Sequence, residues 1–110
     1  MARLWLRPEW VRTIRQWATR TPAVDAVVLF GSRAKGCACE WSDADLGILL
    51  TPPPSKYHNW LWHYTEHNRA WKAALEAAME WPVDIAQLEP GHAKCDEILS
   101  YAIPLWRRRA

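Results

Sequence analysis

The sequence has 110 residues, of which 50% are hydrophobic and 24% are charged, and its formal net charge at pH 7 is +2. This length predicts one domain over residues 1–110, with the composition of an ordinary globular protein. The small net charge gives no reason to expect direct nucleic-acid binding. No apolar stretch approaches the roughly 20 residues that a membrane-spanning helix needs, and residues 1–8 lack the apolar core of a signal peptide. We therefore expect a soluble, cytoplasmic protein that does not contact membranes.

Two residue types are informative by their number. The sequence has three cysteines and nine tryptophans. Cys37 and Cys39 have the wrong spacing for a zinc site and no second pair follows, so we expect free thiols in a reducing compartment. We expect most tryptophans to pack in the core or between helices, and some of them could form a partner surface.

The first half of the chain predicts two helices and two strands. Pro8 suits the first turn of a helix, because the N–H that it lacks would have no partner there. The apolar run that ends at Phe30 is typical of a strand buried on both faces. The predicted elements are a helix from Pro8 to Thr21–Pro22, a strand at Val24–Phe30, a short helix at Arg33–Ala38 and a strand at Ser42–Leu50.

The second half of the chain predicts two more helices and two more strands. The proline-rich segment Thr51–Ser55 separates the halves. Apolar residues at helical spacing and several alanines favour a long helix before Pro82. The predicted elements are a helix at Lys56–Glu80, a strand at Pro82–Leu88, a short helix at His92–Ser100 and an edge strand at Tyr101–Trp106. This order predicts an α/β (α+β) fold with a small mixed sheet flanked by helices.

An Asp-x-Asp motif lies at the start of the second predicted strand. Asp43 and Asp45 are two residues apart, so their side chains point to the same side of the strand. Two close carboxylates repel each other unless a cation lies between them, and Mg²⁺ is the first candidate because it prefers oxygen ligands. Mg²⁺ also uses few protein ligands and completes its shell with water and substrate phosphates. The motif therefore predicts a Mg²⁺ site.

A glycine–serine turn precedes this motif, with 10 residues between Ser32 and Asp43. Gly31 lets the backbone approach a ligand closely, because it has no Cβ atom. The amides of Ser32 and Arg33 would lie in the first turn of the next helix, where unsatisfied N–H groups favour anions. The Ser32 hydroxyl adds a donor, and Arg33 and Lys35 would neutralise phosphate charge. The turn therefore predicts a nucleoside triphosphate beside the metal.

A lone aspartate, Asp84, interrupts the apolar run of the third predicted strand. A carboxylate inside a buried strand is costly unless a metal or a basic partner compensates it. If this strand lies beside the Asp-x-Asp strand, Asp84 joins the cluster and would act as a general base or a further metal ligand. A purely structural interpretation, with Ser32 as a helix cap and Asp45 at the surface, leaves unexplained why acidic residues interrupt buried strands.

The segments Gly31–Gly36 and Ser42–Leu46 together resemble the minimal nucleotidyltransferases of the DNA polymerase beta superfamily. The resemblance extends from about Val24 to Leu88. It implies the nucleotidyltransferase fold, a triphosphate held at the glycine–serine pair, and Mg²⁺ bound by the paired aspartates. It also implies that Asp84 is the third carboxylate of the site.

Many members of this family resemble antitoxins that are paired with HEPN-domain toxins, which are RNases. The resemblance therefore implies transfer of AMP from ATP to a hydroxyl group of a HEPN-domain partner. The sequence predicts only the catalytic sheet, so we expect a partner to supply the acceptor or the rest of the acceptor site. Two alternatives stay open: a non-catalytic antitoxin that occludes its partner, and an enzyme that modifies a small molecule such as an aminoglycoside. The segment from Cys37 to Trp41 departs from the family, because it is bulkier and more apolar than the small polar loop expected there.

Overall fold

The structure, a computed structural model, describes residues 6–36, 42–51, 60–89 and 91–109. Its elements are α1 (Pro8–Thr19), β1 (Val24–Phe30), α2 (Gly31–Lys35), β2 (Ala44–Leu50), α3 (Trp60–Met79), β3 (Val83–Gln87), α4 (Ala93–Leu99) and β4 (Ile103–Arg107). This order of helices and strands agrees with the sequence-based prediction. At most of the element ends that the structure describes, the boundary differs from the predicted one by a few residues.

The short helix α2 begins earlier than the sequence indicates. It starts at Gly31, directly after β1, rather than at Arg33. It ends before Gly36, which has a φ of 77° and the left-handed conformation that glycine often adopts after a helix. The predicted continuation to Ala38 and the unusual loop 37–41 lie outside the described residues, as does the predicted start of the long helix at residues 56–59.

The four strands form one mixed sheet in the order β3-β2-β1-β4. β1 pairs antiparallel with both β2 and β4, whereas β2 pairs parallel with β3. The mixed sheet that the sequence predicts is therefore present. β4 is an edge strand, as predicted, and this position accommodates Pro104, which has no N–H to donate. β3 forms the opposite edge.

Helices cover both faces of the sheet. On one face, α1 and α3 contribute Ile14, Ala18, Trp71 and Leu75 to the larger buried cluster. On the other face, α4 contributes Cys95 and Ile98 to a smaller cluster that includes Val28. Within β1, Val27 and Leu29 belong to the larger cluster and Val28 to the smaller one. Neighbouring side chains of a strand point to opposite faces, so β1 is buried on both sides, as its continuous apolar run predicts.

Two expectations from composition concern features that the structure describes in part. Cys95 is buried and makes no disulfide, in agreement with the expected free thiol, whereas Cys37 and Cys39 lie outside the described residues. Among the helices of the described segments, none combines the length and the apolar character needed to cross a membrane.

Candidate active site

The ends of three strands bring the predicted site residues to one edge of the sheet. Asp45 in β2 pairs with Phe30, the last residue of β1, in antiparallel register, and with Asp84 of β3 in parallel register. Gly31 follows Phe30 and begins α2. The end of β1 and the beginnings of β2 and β3 are therefore adjacent. The glycine–serine turn and the acidic residues lie at the same place, as the order of motifs predicts.

Gly31 lies directly against the carboxylate of Asp45. A Cβ atom added to Gly31 would be 2.0 Å from Asp45 Oδ2, a distance at which atoms overlap. Gly31 also has a φ of +74°, a left-handed conformation that residues with a side chain rarely adopt. Two independent requirements therefore demand glycine at this position. Ser32, the next residue, lies in the first turn of α2 as expected.

Asp45 interacts with both of the other predicted carboxylates. The pKa of Asp45 is raised, chiefly because burial disfavours its charge, and further by the negative charges of Asp84 and Asp43 and a hydrogen bond with the Asp84 carboxyl group. The positive charge of Arg33 opposes this rise. Such mutual influence requires that the side chains converge, because charge interactions weaken with distance and with solvent. Asp45 therefore lies close enough to Asp43 and to Asp84 for both charges to act on it.

The chemistry of this donor set suits a hard divalent cation. Carboxylate oxygens are the ligands that Mg²⁺ prefers. A cation would offset the burial of the Asp45 charge and its repulsion by Asp84 and Asp43, which together raise the pKa of Asp45. In the part of the chain that the structure describes, no three His, Cys, Asp or Glu side chains are arranged to hold one metal ion together. The side chains therefore fit an open Mg²⁺ site with few protein ligands, which substrate phosphates and water would complete, rather than a closed cage.

Asp84 differs from its sequence-based description in one respect. The sequence predicts a carboxylate inside a buried strand, but the Asp84 side chain is 62% exposed. The reason is that β3 lies at the edge of the sheet, and solvent reaches this side chain at the start of the strand. Asp84 also has a basic partner that the sequence does not reveal, since Lys72 Nζ of α3 lies 3.7 Å from Asp84 Oδ1.

Arg33 makes a contact that the sequence does not reveal. Its side chain is buried, with 7% exposure, and its guanidinium donates from Nε at 2.9 Å and from Nη2 at 2.7 Å to the carbonyl oxygen of Ser42. Trp81 Nε1 donates to the same oxygen at 2.9 Å. The fork of Arg33 is therefore engaged by the backbone just before Asp43. That Arg33 neutralises phosphate charge stays a prediction, and the contact shows that Arg33 also holds the start of β2.

Lys35 lies at the same end of the sheet as the glycine–serine turn. Its ammonium group is 4.7 Å from the centre of the Tyr101 ring, and the Tyr101 hydroxyl accepts a hydrogen bond from the N–H of Gly31 at 3.2 Å. Lys35 is exposed, so its charge is available near the turn. Tyr101 was not singled out by the sequence, because it precedes an edge strand and meets Gly31 only through the pairing of β4 with β1.

The sequence matches a known family over most of its length. The profile of the family described as polymerase beta, nucleotidyltransferase matches residues 12–109. This segment contains every residue that the geometry brings together at the end of the sheet. A sequence search among curated proteins found no match.

Solved structures with a similar fold were also found. A candidate minimal nucleotidyltransferase is 27% identical, with a TM-score of 0.59, and the match covers 90% of this chain and 96% of that chain. A toxin–antitoxin structure with AMP-PNP is 19% identical, with a TM-score of 0.60 and coverage of 94% and 76%. A complex of tri-AMPylated Shewanella oneidensis HEPN toxin with MNT antitoxin is 18% identical, with a TM-score of 0.54 and coverage of 91% and 71%. The chain shares the fold of these proteins.

Proposed function

The chain belongs to the polymerase beta nucleotidyltransferase family, and we propose that it transfers AMP from ATP to a hydroxyl group of a partner protein. Nucleotidyltransferase activity in general follows from the family. The observation that carries catalysis at this site is the contact of Gly31 with the Asp45 carboxylate, next to Asp43 and Asp84. This contact places a backbone bend suited to phosphate against a carboxylate pair suited to a divalent cation. Similarity to a complex with a tri-AMPylated toxin supports AMP as the transferred group.

The residues have separate roles in this proposal. Asp43 and Asp45 would hold Mg²⁺, and the Gly31–Ser32 turn would hold the triphosphate, with the exposed Lys35 adding positive charge. Mg²⁺, when bound, supplies charge that offsets the phosphate oxygens and the departing pyrophosphate. The substrate is thereby held in line for attack, so that catalysis consists mainly of positioning and charge stabilisation.

The transfer step exchanges one bond to phosphorus for another. The oxygen of the acceptor hydroxyl forms a bond to the α-phosphorus of ATP, and the bond from that phosphorus to the bridging oxygen of the β-phosphate breaks. Pyrophosphate leaves with the electron pair of this bond. The proton of the hydroxyl passes to the Asp84 carboxylate, which is 62% exposed and can therefore meet a group on another molecule.

The acceptor in this proposal is a HEPN-domain protein, and the chain is its antitoxin. The fold similarity to the MNT antitoxin in complex with a tri-AMPylated HEPN toxin supports this choice. The exposure of Asp84 at the edge of the sheet also supports an acceptor that arrives from outside. Modification of the toxin would then be the means by which the chain silences it.

A labelling experiment tests the proposed reaction. The chain is purified with the protein that binds it in its own cell, and the partner, freed of any existing modification, is incubated with ATP labelled on either the α- or the γ-phosphate. We expect α-label alone to become attached to the partner, because the γ-phosphate leaves in pyrophosphate. Asp45→Asn should abolish labelling, whereas Asp96→Asn, at an exposed position of α4, should not.

Two outcomes of this experiment would contradict the proposal. Attachment of the γ-label would indicate phosphoryl transfer instead of nucleotidyl transfer. A tight complex that stays unlabelled with every preparation would favour neutralisation by occlusion.

A further inference from the structure

A lysine and a glutamate of α3 reach the edge strand that carries Asp84. Lys72 and Glu76 are one helical turn apart and form an ion pair, with Lys72 Nζ 3.5 Å from Glu76 Oε2. The same ammonium group lies 3.7 Å from Asp84 Oδ1 and donates a hydrogen bond to the carbonyl oxygen of Val83. Lys72 therefore touches both the third carboxylate of the site and the backbone next to it.

The pair also completes the hydrogen bonding of the edge strand. The N–H of Val83 donates to Glu76 Oε2 at 3.0 Å, while its carbonyl oxygen accepts from Lys72. At the edge of a sheet the Val83 N–H and carbonyl have no neighbouring strand to bond with, so the two side chains supply these hydrogen bonds instead. The Val83 N–H and the Lys72 charge hold the pKa of Glu76 below its usual value. Both α3 side chains thus fix the backbone that leads into Asp84.

Lys72 is the basic residue paired with Asp84 among the described ion pairs. On its other side Asp84 interacts with Asp45, whose pKa it raises. Asp84 therefore stands between a like charge and an opposite charge. Lys72 places a positive charge close to Asp84, as a divalent cation would. The Lys72 side chain is 42% exposed, so it has room to move.

We propose that Lys72 is a positioning residue that acts as the resident counter-cation of Asp84 and, through its positive charge, weakens binding of the divalent cation at the neighbouring Asp43 and Asp45. The proposal rests on the proposed function, since it concerns the same metal site. It follows from electrostatics, because a positive charge near a carboxylate repels an incoming cation. Lys72 would keep Asp84 oriented and neutralised before the metal arrives, at the cost of a weaker affinity for the metal.

The test measures Mn²⁺ binding by the full-length chain through the electron paramagnetic resonance signal of free Mn²⁺. Lys72→Met removes the charge, and we expect Mn²⁺ to bind about two- to fivefold more tightly, in line with the strength of a partly exposed ion pair. Lys72→Arg keeps the charge and should retain the wild-type affinity. Lys94→Met removes an exposed lysine of α4 and should have no effect.

Affinity for Mn²⁺ separates this role from a merely structural one. If Lys72 only stabilised the fold, Lys72→Met would lower the melting temperature and leave the Kd for Mn²⁺ unchanged. An unchanged or weaker affinity in this variant, or no binding at all, would overturn the proposal. The proposed function would fail by a different result, namely no transfer of the α-label to the partner by the wild-type chain.

Discussion

At position 31, both the backbone conformation and the available space require glycine. Its φ is +74°, and a Cβ atom would lie 2.0 Å from Asp45 Oδ2. Gly91 has a similar φ of +86°, but a Cβ atom there would meet nothing within 4 Å. The two glycines therefore form a matched pair, since a substitution strains the backbone at both and disturbs the aspartate at only one.

We expect Gly31→Ala to reduce the transfer rate by about 100-fold, because the Asp45 carboxylate must move by an ångström or more. Gly91→Ala should retain the wild-type rate. Both variants should lose about 1–2 kcal/mol of unfolding free energy through the strained backbone. Transfer rates and denaturant unfolding curves check these outcomes. Equal rates for the two variants would contradict the importance of the contact with Asp45.

The ionised carboxylate of Asp45 lowers the free energy of unfolding. Its raised pKa means that the folded chain disfavours the ionised carboxylate more than the unfolded chain does. Above the folded-state pKa, Asp45 therefore lowers the free energy of unfolding. This cost fades as the pH falls through that pKa, because the carboxyl group becomes protonated.

We expect Asp45→Asn to raise the melting temperature at pH 7, because the amide is neutral and similar in shape. The difference from the wild type should shrink as the pH falls towards 3.8, the ordinary value for an aspartate. Thermal unfolding from pH 7 to pH 4 without divalent cations measures the difference. Asp96→Asn, at an exposed position, serves as the control. A lower melting temperature for Asp45→Asn at pH 7 would show that the carboxylate stabilises the fold.

The contacts between α1, α2 and the segment after α3 determine where β2 begins. The carbonyl oxygen of Ser42 accepts hydrogen bonds from Arg33 of α2 and from Trp81, which follows α3. The Trp81 ring packs against Trp10 of α1, with 5.2 Å between ring centroids. Arg33 and Trp81 thus hold the residue before Asp43, and Trp10 packs against the Trp81 ring.

We expect Arg33→Met to lower the free energy of unfolding by about 1–3 kcal/mol, because the part-buried Ser42 carbonyl loses its charged donor. The transfer rate should also fall, since the Asp43 backbone is no longer held. Arg33→Lys should recover only part of the rate, because one ammonium group cannot reproduce the fork. Arg12→Met, at an exposed position of α1, is the control. Transfer by Arg33→Met at the wild-type rate would exclude a positioning role.

The elements themselves were predictable, because they rest on local periodicity. The apolar run of β1 and the helical spacing of Trp71 and Leu75 in α3 indicated strand and helix correctly. The exposure of Asp84 was not predictable, because it depends on the order of strands, which places β3 at the edge. The partners of Arg33 and Lys72 likewise depend on how helices pack on the sheet, and no local pattern encodes them.

The candidate site was predictable where it depended on consecutive residues. The glycine–serine turn ends one strand and the Asp-x-Asp motif begins the next, so an antiparallel pairing of β1 with β2 brings them together. The convergence of Asp84 required the further assumption that β3 lies beside β2, which the structure bears out. Tyr101 contacts Gly31 across 70 positions of sequence, and nothing near either residue signals it.

The molecule as a whole presents its acidic cluster at one edge of a small sheet. Asp45 lies inside the sheet, whereas the Asp84 side chain is 62% exposed on the edge strand β3. A substrate held at the glycine–serine turn would therefore face outward along this edge. An acceptor group on a partner protein, as proposed above, could reach the exposed Asp84 carboxylate from this edge.

The most direct measurement is the intact mass of the partner protein that co-purifies with the chain from its own cell. With the wild-type chain, we expect the partner to be heavier by one or more AMP groups. With Asp43→Asn, which removes an exposed carboxylate of the cluster without disturbing the core, the partner should have its unmodified mass. A partner of the same, unmodified mass with both chains, still bound tightly, would contradict catalysis by the carboxylates at the glycine–serine turn.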